Sequence, residues 1–171
     1  MSGKFGDVDY SEFEELYKQI AMLDDLKIFQ FFEECSKELA ARLLSLVIPR
    51  TPVGEYSDLV EPFNEKMGGT LRRGWTGDKE TTAQDYAQSL AVNKIGQTYQ
   101  INIINPVDYA MYVEFGHRQT PGRYVPALGA KLKESWVEGQ FMLTISEDEL
   151  RQATPKILQK KLNAFLKDVF G

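Results

Sequence analysis

One thiol, one imidazole and a scatter of carboxylates are the groups in this sequence that could do chemistry, and their settings argue against most of it. A nucleophilic serine or cysteine needs a base beside it. Cys35 stands next to Glu34 in a run with helical apolar spacing. Nearby acids raise a thiol's pKa rather than activate it, so a core cysteine is the simpler reading. His117 lies between Gly116 and Arg118, and the chain has no G-x-S-x-G elbow. A single cysteine excludes an internal disulfide, and one cysteine with one histidine excludes the common structural zinc sites. Gly68, Gly69 and Gly74 complete no phosphate loop, and no G-x-G-x-x-G follows a strand. Glu147, Asp148 and Glu149 read as a helix start, where acids complement the helix dipole, rather than as a metal cluster. Glu114 sits between Tyr112 and Phe115, but one carboxylate without a partner is weak ground for acid–base catalysis. The residues point to no catalytic group, no cofactor and no metal.

Arg72-Arg73 beside Trp75 raises nucleic-acid binding, since bases alternating with aromatics bind single strands. The segment 70–76 reads as a strand, however, and consecutive strand residues face opposite ways, so the arginines form no single patch. A partner carboxylate at a subunit interface is the better reading, because arginine and aromatics dominate interface hot spots. The net charge of −5 also argues against electrostatic binding of nucleic acid. That charge is uneven: residues 1–40 hold ten acids and four bases, and residues 150–171 hold five bases and one acid. The two ends either attract, within one copy or between neighbours, or stay as two solvated faces.

The elements that must position these groups run α, then β, then α. Ser11-Glu12-Phe13-Glu14 has the form of a capping box, with Asp9 a second cap, ahead of Phe13, Leu16, Tyr17 and Ile20 at helical spacing. Phe29, Phe32, Ser36, Leu39, Leu43 and Leu46 share one face of a second helix. We expect helices over about 10–21 and 25–48, ended by Pro49 and Pro52. Residues 49–69 read as a loop rich in proline and glycine. A strand over 70–76 and strands over 86–94 and 98–105 follow, the last two joined as a hairpin at Ile95-Gly96-Gln97. Tyr109–Phe115 reads as a short helix stopped by Gly116, then a loop runs from His117 to Gly129. Gln140–Ile145 has the length of a final strand, and Ser146-Glu147-Asp148-Glu149 opens a C-terminal helix, which Thr154-Pro155 kinks or restarts. The expected fold is α+β, a small curved mostly antiparallel sheet flanked by a long N-terminal helix and a C-terminal helix. We read it as one domain over 1–171: helices to about 48, loop 49–69, sheet and short helix 70–145, and helix 146–170.

No apolar run approaches the roughly 20 residues of a membrane span, and MSGKFGDVDY has no apolar signal-peptide core. We therefore expect a protein made and kept in cytoplasm.

Three segments resemble a known family. Tyr109-Ala110-Met111-Tyr112-Val113-Glu114-Phe115-Gly116-His117-Arg118 resembles the Y-x-x-Y-V-E-F-G-H/T signature of the phage minor structural proteins called the gene-product-ten-like, or tail-completion, family. Thr51-Pro52-Val53 and Gly69-Thr70-Leu71-Arg72-Arg73-Gly74-Trp75 are similar to the two halves of that family's T-P-V-D-T-G-x-L-R-x-S/G-W, with residues 54–68 as an insertion between them. Gly139-Gln140-Phe141-Met142-Leu143 ahead of an amphipathic helix resembles members from prophages with contractile tails.

The resemblance implies a non-enzymatic ring, usually a hexamer, at the junction of tail and head connector. Its partners would be like copies, the connector or adaptor, and tail-terminator or tail-tube proteins. DNA would pass through the lumen without specific binding, and the site of action would be the virion neck. The long loops 50–69 and 117–130 are natural arms for reaching a neighbour. Arg72, Arg73, Trp75, Tyr112, Glu114, Phe115, His117, Arg118, Arg123 and Tyr124 are the candidate interface residues. Tyr112 and Phe115 have a second reading, as filling of the core. The rivals are a tail-terminator ring, a small hydrolase using His117 and Glu114, and an adaptor that binds through its acidic helices.

Overall fold

The computed structural model describes residues 25–62 and 68–170. The helix expected over 10–21 lies outside the described residues. Helix α1 runs Asp25–Arg50, with Pro49 in its last turn. Two short helices follow, α2 (Thr70–Gly74) and α3 (Ala83–Ser89), then a hairpin of β1 (Asn93–Ile95) and β2 (Thr98–Gln100). Helix α4 (Ala110–Phe115) leads into β3 (Gly116–Arg118), β4 (Tyr124–Val125), a 3-10 turn (Pro126–Leu128), β5 (Ala130–Lys131) and β6 (Trp136–Glu138). Helix α5 (Met142–Phe170) closes the chain and carries Pro155 within it.

The class is α+β with a long first helix and a C-terminal helix, as the sequence indicates. The strands pair as three separate antiparallel ribbons, β1–β2, β3–β6 and β4–β5, and not as one curved sheet. The β1–β2 hairpin has the expected turn at Gly96-Gln97, with Ile95 opposite Thr98, but its second strand ends at Gln100 and not at 105. Gly96 has φ 62, the left-handed geometry that a two-residue hairpin turn requires.

Three expected strands are helical or have helical parts. Segment 70–76 holds α2 over its first five residues, and the buried Leu71, Gly74 and the following Trp75 have the i, i+3, i+4 spacing of one helix face. Segment 86–94 begins inside α3, whose start is fixed by Thr82: its hydroxyl accepts from the Asp85 N–H at 3.1 Å. Segment 140–145 contains the start of α5 at Met142. Ser146 therefore does not open the helix. It is fully buried in it, donating to the Met142 carbonyl at 2.6 Å and accepting from Arg50 Nη1 at 2.7 Å.

The core gathers Ala40, Ala41, Leu44 and Val47 of α1 with Leu71, Trp75, Ala87 and Met142. This is not the stripe expected on α1. Leu39, Leu43 and Leu46 are half-buried and Phe32 is exposed, because α1 packs elements on two sides. Its alanine side meets α3, where Ala40, Ala41 and Ala87 allow two helices to approach closely. Its other side meets α5, which runs antiparallel: Phe31 lies 4.6 Å from Phe165 at one end, and Arg50 pairs with Glu149 at the other. Tyr99 of the hairpin closes over this side, stacked on Phe32 at 4.8 Å and tilted against Phe29 at 5.7 Å.

Candidate subunit interface

The two motif halves separated by the insertion come together at Thr51. Its hydroxyl donates to the Val47 carbonyl at 2.7 Å, and its N–H bonds the same carbonyl, which ends α1. That hydroxyl also accepts the Trp75 indole N–H at 2.7 Å. The Thr51 carbonyl accepts two bonds from Arg72, at 3.0 Å from Nε and 2.7 Å from Nη2. A fork of donors on one oxygen suits the guanidinium, and it satisfies a carbonyl that the helix end leaves without a partner. Arg72 and Trp75 are thus committed inside the chain, and Trp75 is buried. Arg73 faces outward and pairs with Asp78 at 2.9 Å.

The longer motif forms a second junction. Glu114 is only 4% exposed, and both of its oxygens are engaged at the start of α5. Oε2 accepts from the Leu143 N–H at 2.9 Å; Oε1 accepts from the Thr144 N–H at 2.9 Å and the Thr144 hydroxyl at 2.7 Å. A carboxylate placed there caps orphan N–H groups and complements the positive end of the helix. Gly116 follows with φ 79, and a Cβ on it would run into the Val137 carbonyl and the Gly139 N–H. The glycines at 116 and 139 let two backbones meet where the chain leaves α4 and returns to α5.

Between them, residues 116–138 form one long hairpin. β3 and β6 pair at its base, with His117 opposite Val137, and β4 and β5 pair near its tip. Bonds from Gln119 N–H to Ser135 and from Gly122 N–H to Leu132 link the ribbons. The segment expected to be a loop is therefore an arm with β structure. Its tip touches the other expected arm, since the Val60 N–H donates to the Ala127 carbonyl at 3.2 Å. Arg118, Arg123 and Tyr124 are exposed on this arm. His117 is half-buried, its ring 5.6 Å from that of Tyr112, and its Nδ1 has no hydrogen-bond partner.

Tyr112 is 60% exposed and Phe115 is 49% exposed, so neither fills the core. Phe115 meets Phe141 edge-on at 6.4 Å. With Met111 and Ile104, both exposed, it borders an open cleft of about 410 Å³ between segment 103–107, α4 and the start of α5. The sequence reading missed Ile104, Met111 and Phe141. Ile103 and Ile104 adjoin in an extended segment, which forces one of two apolar side chains outward, and that signal was available.

The candidate residues therefore divide. Arg72, Trp75 and Glu114 hold the chain's own elements together, whereas Tyr112, Phe115, Arg118, Arg123 and Tyr124 lie at the surface. No helix among the described residues is long and apolar enough to cross a membrane.

Residues 14–116 match the family described as "Bacteriophage HK97-gp10, putative tail-component". No curated protein and no solved structure matches the chain. The family match takes in the whole Thr51 junction and the Glu114 side of the second, and stops at Gly116 where the arm begins. Covering more than half of its length, that match makes the chain a member of the HK97-gp10-like family of phage tail components.

Proposed function

We propose that the protein is a non-enzymatic structural subunit of the phage neck, one copy in a tail-completion ring that joins the tail to the head connector. The observation that carries this reading is the surface left by the family motif. Arg72, Trp75 and Glu114 of the motif are spent inside the chain, while Tyr112, Phe115 and the neighbouring Met111 stand exposed. Apolar groups of this size clustered on a surface mark a contact with another protein. Two different outward features, an arm and a cleft, suit the head-to-tail contact that closes a cyclic ring. Six copies is the number the family resemblance implies. A net charge of −5 would help DNA slide through such a ring without sticking.

The long helix that precedes the strands speaks against the tail-terminator reading, which expects the sheet first. The hydrolase reading needs Glu114 free beside His117, and both Glu114 oxygens are already occupied by N–H and O–H donors.

The test is the mass of the purified full chain by native mass spectrometry and light scattering, with electron microscopy of the same sample. A closed ring of a fixed copy number is the expected result. A monomer at the highest concentration reached, or turnover of a small molecule lost on replacing His117 alone, would overturn the proposal.

A further inference from the structure

Resting on the ring reading above, we infer that the tip of one copy's arm seats in the cleft between segment 103–107 and α4 of the next copy. The cleft and the tip are complementary in polarity and charge, and both belong to this chain.

The cleft is apolar inside and acidic at its edge. Ile104 is 68% exposed and Met111 is 65% exposed, so its walls are open to an incoming side chain. Glu147 lines it, and Asp108 follows directly after Val107, which also lines it. Neither acid makes a hydrogen bond or ion pair through its side chain among the described residues. One wall is also an extended segment that pairs with no strand among the described residues. Residues 101–107 alternate half-buried and exposed, as a strand does, with Ile101, Ile103 and Val107 packed on the core. Yet Asn102, Ile103 and Ile104 make no backbone hydrogen bond among the described residues. A second extended segment lying along it gains main-chain bonds that none of the described residues supplies.

The arm tip has the opposite character. Tyr124 and Leu128 are exposed apolar groups at 55% and 49%. Arg123 and Lys131 flank them, and these cations have no side-chain partner among the described residues. Two unpaired cations around an apolar tip match an unpaired anion lining an apolar cleft and a second that follows a lining residue in the chain. Complementary charge of this kind fixes which patch meets which and in what register. A second copy is the occupant that supplies this tip. Because tip and cleft are different patches, the contact repeats head to tail and does not close as a two-fold dimer.

The experiment uses the full chain with Cys35→Ala, carrying Ile104→Cys and Leu128→Cys together, and each of these alone as a control. After mild oxidation, the double variant should give a ladder of covalently linked chains on a denaturing gel, and each single variant should stay a monomer band. Arg123→Glu with Lys131→Glu should abolish assembly, and adding Asp108→Lys with Glu147→Lys should restore it. Assembled material that gives no ladder overturns the seating of tip in cleft and leaves the ring standing. Dimer bands from a single variant overturn it as well, because they require a two-fold contact. A double variant that light scattering shows to be monomeric, with its parent also monomeric, overturns both the seating and the ring.

Discussion

Thr144 gives the Glu114 carboxylate two hydrogen bonds on one oxygen, the backbone N–H at 2.9 Å and the side-chain hydroxyl at 2.7 Å. The contact spans the whole arm, since the chain leaves Glu114, runs out through β4 and β5, and returns to begin α5 within reach of the same side chain. An acid in the family signature thus fixes where a 29-residue helix starts.

Glu114→Ala should therefore destabilise the fold by about 1–3 kcal/mol, the cost of leaving buried N–H donors unmade. Glu114→Gln keeps an acceptor but loses the charge and one oxygen, so its loss should be smaller. Chemical denaturation followed by circular dichroism separates the two. Equal stability of all three proteins would show that the cap contributes nothing.

Arg72 and Arg73 are neighbours in sequence with unequal duties. Arg72→Lys loses the two-pronged contact on the Thr51 carbonyl, which a point charge cannot reproduce. Arg73→Lys disturbs an exposed pair with Asp78, and pairs of that kind contribute roughly 0–1 kcal/mol. The Arg72 variant should lower the unfolding midpoint measurably more than the Arg73 variant. The reverse order would mean that the junction at Thr51 does not hold the two motif halves together.

These two junctions also mark what was legible in the sequence. The long first helix, the Gly96-Gln97 hairpin, the short helix ending at Gly116 and the α+β class follow from spacing and turn residues. Two of the misread strands carried a local signal. Leu71, Gly74 and Trp75 have helical spacing, and Thr82 with Asp85 is a cap of the Ser/Thr-x-x-acid kind. The start of α5 carried none. Its cap comes from Glu114, distant in sequence, and the Ser146–Glu149 capping pattern lies inside the helix rather than at its start. The same distance hid the site: nothing local says that Trp75 turns inward to Thr51 while Phe115 turns outward.

Burial pushes the Cys35 thiol above its ordinary value, and the Lys161 ammonium pulls it part of the way back. Below the ordinary thiol value of 9.0, folded and unfolded chains both hold the neutral thiol and its ionisation costs nothing. Above it, the unfolded chain ionises first, so stability falls with rising pH until the folded thiol ionises too. A thiol-specific reagent should react with the folded protein only at higher pH than with the urea-unfolded chain. Lys161→Met should move the folded curve further up. A folded curve that coincides with the unfolded one would contradict a buried Cys35.

Gly116 and Gly122 both hold positive φ, at 79 and 81, in different surroundings. A Cβ at Gly122 meets nothing within 4 Å, whereas one at Gly116 runs into the Val137 carbonyl and the Gly139 N–H. Gly122→Ala should cost only backbone strain, about 1–2 kcal/mol. Gly116→Ala adds a backbone clash and should cost clearly more, which thermal unfolding would read as a larger fall in midpoint. Equal losses would mean that the base of the arm shifts freely.

Arg123 and Tyr124 lie beyond every junction that holds the monomer. Tyr124 is 55% exposed, and its strand pairs only with β5. Replacing both, as Arg123→Ala with Tyr124→Ser, should leave the unfolding midpoint near that of the parent, since surface changes away from such junctions stay within about 0.5 kcal/mol. The same double variant should yield no ring, because an exposed aromatic beside an arginine has the composition of an interface anchor and none of the partners of a core residue. Circular dichroism reads the fold, and native mass spectrometry reads the assembly on the same sample. Intact rings from this variant would remove the arm tip from the contact between copies, whereas a collapsed midpoint would show that the tip supports the monomer itself through Val60 and Ala127.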